Sequence, residues 1–128
     1  MRALIIDEPW ISAILRGEKI WEMRKRNCKV RGPIALIRKG SGHVVGVAEL
    51  VDSLQVLTTP QAYADAEPKH RIPPERQASA FRDGWVTPWV IASARPLRRP
   101  VPYSHPSGAV IWVTLAPDVA AAVNGQTE

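Results

Sequence analysis

The spacing of apolar residues over the first 40 positions predicts a strand, a short helix and two further strands. Residues 2–6 form an almost uninterrupted apolar run that is typical of a short buried strand. In residues 9–16 the apolar side chains recur at i,i+4 spacing, with a proline at the start and Gly17 at the end, which indicates a short amphipathic helix. Strands are predicted next over residues 20–24 and 34–38.

The remainder of the chain alternates between β-rich and proline-rich segments. A long β-rich segment covers residues 44–56, and Gly46 inside it indicates a bend or a bulge. Two short helices and then two strands are predicted beyond it, at residues 59–64, 74–81, 89–97 and 109–115.

Three segments are predicted to lack regular structure. Residues 67–74 are polar and rich in proline, and residues 96–108 contain four prolines, so both are predicted to be loops. After Pro117 the chain is alanine-rich and then polar, which favours a tail with a frayed end.

Together these elements predict an α+β fold in a single domain. About six short strands with glycine bends and proline-rich connections favour a small closed β-barrel over an open sheet. The pattern also predicts one early helix and, over residues 58–88, an inserted helical segment. No βαβ rhythm recurs, so a doubly wound sheet is not expected. We assign residues 1–116 to the domain and residues 117–128 to a C-terminal tail.

The charge is distributed unevenly along the chain. Residues 1–45 carry ten Lys or Arg against four Asp or Glu, whereas residues 46–128 carry seven against eight. Residues 24–39 hold seven cations and no acidic residue. Such asymmetry indicates an anionic partner, and RNA or another single-stranded nucleic acid is the leading candidate because its phosphates repeat along a surface. A solvated basic face without a partner is the alternative.

Composition excludes several classes of protein and of site. No apolar run approaches the roughly 20 residues that span a bilayer, so no membrane partner is expected. The N-terminal residues lack a signal-peptide pattern and the single cysteine, Cys28, forbids an internal disulfide, which together favour a cytosolic location. The three histidines lack metal-ligand spacing, and no phosphate-binding glycine loop or nucleophile elbow occurs, so no metal and no cofactor is expected.

The candidate chemistry is concentrated in Lys19, Glu22 and Arg24. On an ideal strand Glu22 and Arg24 share one face and Lys19 lies on the other, so a site that uses both Lys19 and Glu22 requires a kink near residue 20. A lysine held against a tryptophan would be partly desolvated, which lowers its pKa and suits it as a base or a donor. The alternative is a structural Glu22–Arg24 pair beside a surface lysine.

Five tryptophans are many for 128 residues. Each of them fits a hydrophobic core, where an indole buries a large area. Trp10 and Trp89 lie at the starts of predicted elements, so these two are the candidates for stacking on a nucleobase.

The sequence resembles the ASCH domain family over roughly residues 2–115. The likeness rests on an ordered series of motifs, which are Pro9-Trp10, Ile14-Leu15, Gly17-Glu18-Lys19, Glu22, Arg24, RGPIALI, VVGVAELVD, Trp89-Val90-Ile91, Arg95-Pro96-Leu97, Pro100-Val101-Pro102 and residues 108–112. The resemblance implies a PUA-like β-barrel with a helix at its side. It also implies that the cleft between helix and barrel, beside the Gly-x-Lys motif, binds RNA or a nucleotide.

The resemblance leaves open whether the chain is an enzyme. Some ASCH relatives bind nucleic acid with little sequence preference, one small bacterial relative removes the acetyl group from N4-acetylcytidine, and others have been assigned ribonuclease activity. Lys19 matches the motif lysine of the family. In the amidohydrolase type the residue three positions later is a nucleophile-like threonine, whereas here it is Glu22, so a threonine-based mechanism does not carry over.

The leading hypothesis is therefore an RNA-binding ASCH domain that accepts a nucleotide in a basic cleft. The first alternative is an amidohydrolase of N4-acylated cytidines, with Lys19 as the base or polarising cation and Glu22 handling the proton. Two further alternatives rank below these. One is a ribonuclease, for which the sequence offers no histidine pair, and the other is a protein-interaction domain. The predicted nucleic-acid-binding residues are Trp10, Lys19, Glu22, Arg24, Arg31, Arg38, Lys39 and Trp89.

Overall fold

The computed structural model of the chain describes residues 1–127, within which it forms six strands and five helices. The strands are β1 (Arg2–Ile6), β2 (Trp21–Arg24), β3 (Gly32–Arg38), β4 (His43–Ser53), β5 (Thr87–Pro102) and β6 (Trp112–Thr114). The helices are α1 (Trp10–Leu15), α2 (Pro60–Asp65), α3 (Glu67–His70), α4 (Pro74–Arg82) and α5 (Pro117–Gly125). None of these described helices is both long enough and apolar enough to cross a membrane.

All six strands belong to one sheet with the order β2-β5-β4-β3-β1-β6. The pairing of β1 with β3 is parallel, and every other pair of neighbours is antiparallel. Two parallel strands need a crossover connection, and here α1 and β2 lie within that connection. The predicted α+β class is confirmed.

The sheet curls until its two ends come close to each other. Trp89 of β5 and Trp112 of β6 stack with ring centroids 6.0 Å apart and planes 12° apart, although three strands separate β5 from β6 in the sheet. Near the same ends, Arg24 Nη2 of β2 donates to the carbonyl of Ile5 in β1 at 2.8 Å. The predicted barrel is therefore confirmed as a curled half-barrel, whose ends meet through side chains.

Both faces of the sheet are covered by helices. Alternate residues of a strand point to opposite faces, so neighbouring residues of β1 pack in different clusters. Leu4 and Ile6 of β1 pack in one cluster with Ile14 of α1. Their neighbour Ile5 packs in a second cluster with Val123 of α5. Full burial of such a side chain stabilises a fold by about 1.5–3 kcal/mol, so the packing of α1 and α5 stabilises the sheet from opposite sides.

Two segments predicted as loops are regular over part of their length, at residues 67–70 and 96–102. Residues 67–70 form α3, because the first turn of a helix needs no backbone donor and tolerates Pro68. Strand β5 continues through the prolines to Pro102. Proline is tolerated at strand edges and bulges; β2 pairs with β5 only along Thr87–Val90, and the pairing of β4 with β5 contains register shifts.

The segment predicted as a tail begins with helix α5. Its first turn starts at Pro117, a residue that suits this position. The side chain of Gln126 exchanges two hydrogen bonds with the backbone of Arg99, at 3.0 and 2.9 Å, and so holds the end of the helix against β5. Glu128, the last residue of the predicted tail, lies outside the described residues.

Gly46 of β4 lies close to both α1 and β5. The register of β4 against β5 shifts between Val44 and Gly46, at the predicted bend. A Cβ atom at position 46 would collide with the side chain of Leu15 and would lie 2.9 Å from the carbonyl oxygen of Arg95. The absence of a side chain at Gly46 therefore allows α1 to pack onto the sheet.

We expect Gly46→Ala to lower the free energy of unfolding by about 1–3 kcal/mol, because backbone atoms of β5 must move to make room. Urea denaturation of the wild type and the variant measures this change. The matched control is Gly125→Ala, since a Cβ at Gly125 would meet no atom within 4 Å and alanine favours a helix by up to about 1 kcal/mol. Equal stability of Gly46→Ala and wild type would contradict this account of the packing.

Candidate functional site

A cleft of about 1010 Å³ opens between the two ends of the curled sheet and helix α4. Pockets that hold small ligands have volumes of about 300–1,000 Å³, so a nucleotide would fit. Residues from β2 and from the segment that follows it line one part of the cleft. Other parts are lined by β1, α4 and β6, through residues such as Ile5, Arg76 and Trp112.

Lys19 lies in the turn that joins α1 to β2. Gly17, with a φ of 78°, turns the chain after the helix, and the backbone N–H of Lys19 donates to the carbonyl of Ala13 at 3.2 Å. Strand β2 begins only at Trp21. The turn therefore supplies the kink that brings Lys19 and Glu22 together, with Nζ 3.7 Å from Oε1.

The inserted segment docks on this turn through three hydrogen bonds. Lys19 Nζ donates to the carbonyl of His70 at 2.6 Å, the N–H of Ile20 donates to the carbonyl of Lys69 at 3.0 Å, and Arg71 Nε donates to the carbonyl of Glu18 at 3.1 Å. As a result the side chain of Lys19 is only 1% exposed. Residues 58–88 therefore supply part of the structure around the cleft.

Glu22 is shared between two cations. Arg24 donates to Glu22 Oε2 from Nε at 3.1 Å and from Nη2 at 2.9 Å, while Lys19 faces the other carboxylate oxygen. The side chains of Glu22 and Arg24 are 7% and 12% exposed. The three residues form a row of charges along one side of the cleft, which we call the charge row.

Burial changes the acid–base properties of two residues beside the cleft. It lowers the pKa of Lys19 to about 8, and the nearby Glu22 carboxylate opposes this shift. It also lowers the pKa of His70. His70 is held by two backbone groups, since Nδ1 accepts from the N–H of Ile72 at 2.9 Å and Nε2 donates to the carbonyl of Tyr63 at 2.7 Å. This neutral imidazole holds the end of α3 in place, where the carbonyl of His70 accepts a hydrogen bond from the Lys19 ammonium.

The two tryptophans predicted as stacking platforms differ in access. Trp10 is half-buried in the cleft lining, with Lys19 Nζ 5.1 Å and Arg76 Cζ 5.8 Å from its ring centroid. Trp89 also borders the cleft but is only 4% exposed. Its indole N–H donates to the carbonyl of Arg26 at 2.8 Å, and its ring stacks on Trp112. Trp10 is thus the more accessible of the two.

Three predicted phosphate-binding cations lie in different places. Lys39 lines the cleft, and Arg31 and Arg38 do not. Arg31 Nη2 pairs with Asp52 at 3.4 Å, and Arg38 Nε pairs with Glu8 at 3.2 Å.

Several residues outside the predicted set line the cleft. The cations among them are Arg2, Lys25, Arg26, Lys29 and Arg76, and the aromatic residues are Trp85 and Trp112. The acid-free run of residues 24–39 contains three of these cations, so charge pattern alone could have singled them out. The others come from distant segments and are brought to the cleft by tertiary packing.

The buried ammonium of Lys19 predicts a pH-dependent stability. Burial lowers its pKa from 10.5 to about 8, so between these values the unfolded chain binds more protons than the folded protein. The free energy of unfolding should therefore rise from pH 8 to pH 10. Above pH 10 Tyr63 acts in the opposite direction, because burial raises its pKa from 10.0 to about 12.

Urea titrations at several pH values from 8 to 10 measure this rise, and Lys19→Met should abolish it. The control is Lys69→Met, which removes an exposed lysine and should keep the wild-type profile. An identical pH profile for wild type and Lys19→Met would contradict the assignment.

Comparison with known proteins identifies the family. The ASCH domain profile matches residues 4–100. A search of curated proteins found no significant match. Among solved structures, the crystal structure of ASCH from Zymomonas mobilis superposes with a TM-score of 0.73 at 14% identity, covering 97% of this chain and 93% of that one.

Two single-residue mutants of the Zymomonas mobilis protein are also similar to this chain. The serine-to-alanine mutant has a TM-score of 0.71 at 14% identity, and the alignment covers 97% of this chain and 94% of that one. The tyrosine-to-phenylalanine mutant has a TM-score of 0.69 at 15% identity, with 97% and 96% covered. At such identity these structures establish the fold, and the profile match over most of the chain establishes the family. The chain belongs to the ASCH domain family.

Proposed function

We propose that this protein binds single-stranded RNA and accepts one nucleotide in the cleft beside Lys19. One observation carries the proposal. The same cleft contains an accessible aromatic ring, a buried carboxylate with a free oxygen and several exposed cations. Membership of the ASCH family is consistent with RNA-binding or related hydrolase roles.

Glu22 is suited to recognise the edge of a base. Its Oε2 atom is occupied by Arg24, whereas Oε1 lies 3.7 Å from Lys19 Nζ, beyond hydrogen-bond distance. Oε1 therefore keeps lone pairs that can accept from an exocyclic amine, as a carboxylate does when it reads cytosine. Trp10 offers a ring on which the base stacks.

The cations around the cleft are available to bind phosphate. Six cations of the cleft lining are exposed and form no ion pair with a carboxylate within residues 1–127. They are Arg2, Lys25, Arg26, Lys29, Lys39 and Arg76. Unpaired exposed cations release counterions when they contact a nucleic-acid backbone, which provides affinity without sequence preference. The charge row would then position the base, while these cations position the phosphate backbone of the RNA.

RNA binding should weaken steeply with salt. With about four phosphate contacts on a single strand, the slope of log K against log salt concentration should be about −2.8. Arg76→Ala should reduce the magnitude of this slope by about 0.7, the contribution of one phosphate. Fluorescence anisotropy of an end-labelled oligoribonucleotide between about 50 and 200 mM salt measures these values.

The matched control for this experiment is Arg82→Ala, because Arg82 lies on the same helix, pairs with Asp83 and is not part of the cleft lining. Its slope should equal that of the wild type. If the wild type binds no single-stranded RNA at about 50 mM salt, the proposed function is wrong.

A second candidate function is hydrolysis of an N4-acylated cytidine, and the lowered pKa of Lys19 favours it. With a pKa of about 8, part of the Lys19 population is neutral near physiological pH. In such a reaction Glu22 would take a proton from water as the water attacks the acyl carbonyl, and would return it to the leaving amine. The 1% exposure of the Lys19 side chain limits its contact with a substrate, which ranks this candidate below RNA binding.

We expect N4-acetylcytidine to remain intact after prolonged incubation with a high concentration of the protein, because the binding proposal includes no chemical step. Chromatography with mass detection of cytidine and acetate tests this expectation. Release of cytidine that is lost in Glu22→Gln and in Lys19→Met, with melting curves that stay cooperative, would establish the hydrolase instead. None of the three histidines lines the cleft in residues 1–127, which places a ribonuclease last.

A further inference from the structure

Trp85 is the most exposed of the five tryptophans, and it lies in the lining of the cleft. Its exposed fraction is 38%, whereas the other four are half-buried or buried. Its backbone is held in place, since its N–H donates to the carbonyl of Ala80 at 3.0 Å and its carbonyl accepts from the Tyr63 hydroxyl at 2.8 Å. The indole is therefore carried by an anchored backbone and presents an aromatic surface that solvent, or a ligand, can reach.

A cation lies directly over this ring. Lys25 Nζ is 4.8 Å from the ring centroid of Trp85, and Lys25 is exposed and also lines the cleft. Isolated exposed apolar residues are common and need no explanation. An exposed aromatic face and an adjacent exposed cation at the same place are the features that proteins use to bind the base and the phosphate of a single-stranded nucleotide.

The position of this pair separates it from the base site described above. Trp10 and Glu22 contact Lys19, whereas Trp85 follows α4 and pairs with Lys25, which comes after the end of β2. Both groups border one continuous cleft. The cleft of about 1010 Å³ therefore offers two groups of aromatic and charged side chains on different elements, to which successive nucleotides of one strand can bind.

We propose that Trp85 and Lys25 form a second nucleotide subsite, which binds the base and the phosphate next to the nucleotide in the cleft. This inference rests on the proposed RNA-binding function and specifies its ligand as a chain of at least two nucleotides. In the free protein the Lys25 ammonium covers the ring. When RNA binds, the flanking base stacks on Trp85, and the flexible lysine side chain turns to the phosphate.

The chain contains a matched pair that serves as an internal control. Lys69 Nζ lies 4.9 Å from the ring centroid of Trp21, nearly the same geometry as in the Lys25–Trp85 pair. Neither Trp21 nor Lys69 lines the cleft. Removing the Lys69 side chain should therefore leave RNA binding as it is in the wild type.

Binding of cytidine 5′-monophosphate and of a hexanucleotide of oligocytidylate, both followed by isothermal titration calorimetry, tests the subsite. The ratio of the two affinities measures what the flanking nucleotides contribute. Trp85→Ala should reduce this ratio about fivefold or more, given the usual effect of losing one stacked base. Trp85→Tyr should retain most of the ratio. Lys25→Ala should reduce the salt slope for the hexanucleotide by about 0.7, and Lys69→Ala should not.

The outcomes distinguish this inference from the proposal on which it rests. If the wild type binds neither probe, the RNA-binding function fails and the subsite fails with it. If the wild type binds both probes and a cooperatively folded Trp85→Ala keeps the wild-type ratio, the subsite is wrong while the base site stands. If Trp85→Ala does not fold, Lys25→Ala decides, and a wild-type salt slope for that variant would overturn the subsite.

Discussion

The cleft depends on the burial of the Lys19 ammonium. Removing a charge from water costs several kcal/mol unless the protein supplies partners. Two parts of the chain supply them here, because β2 provides the Glu22 carboxylate and α3 provides the His70 carbonyl. The turn after α1 must place Lys19 between them. The early helix, the second strand and the inserted segment therefore have to assemble together for the charge to be tolerated.

The same charge row joins the ends of the curled sheet. Glu22 is bound by Arg24, and Arg24 reaches the carbonyl of Ile5 on a strand that is not its neighbour in the sheet. Trp89 and Trp112 stack between the same two ends. Side chains rather than a backbone ladder thus bring these ends together and leave a cleft beside them. One carboxylate oxygen, Glu22 Oε1, lies 3.7 Å from Lys19 Nζ, beyond hydrogen-bond distance.

Local patterns predicted most strands, the early helix and the bend at Gly46, because each is determined by neighbours in sequence. They did not predict α3 or the continuation of β5, since proline suggests a loop unless the paired edge is known. Arg31 and Arg38 were predicted to bind phosphate because they lie in an acid-free run of the sequence. In the structure they pair with Asp52 and Glu8, which lie outside that run. Arg76 and Trp85 reach the cleft only through the packing of the inserted segment.

The most direct measurement follows the five tryptophan indole N–H resonances by NMR while single-stranded RNA is added. Four of these residues, Trp10, Trp85, Trp89 and Trp112, line the cleft, and Trp21 does not. If the cleft beside the charge row is the binding site, the Trp10 and Trp85 signals shift and the Trp21 signal stays in place. RNA that binds without shifting either of those two signals, or that shifts only Trp21, would contradict the account.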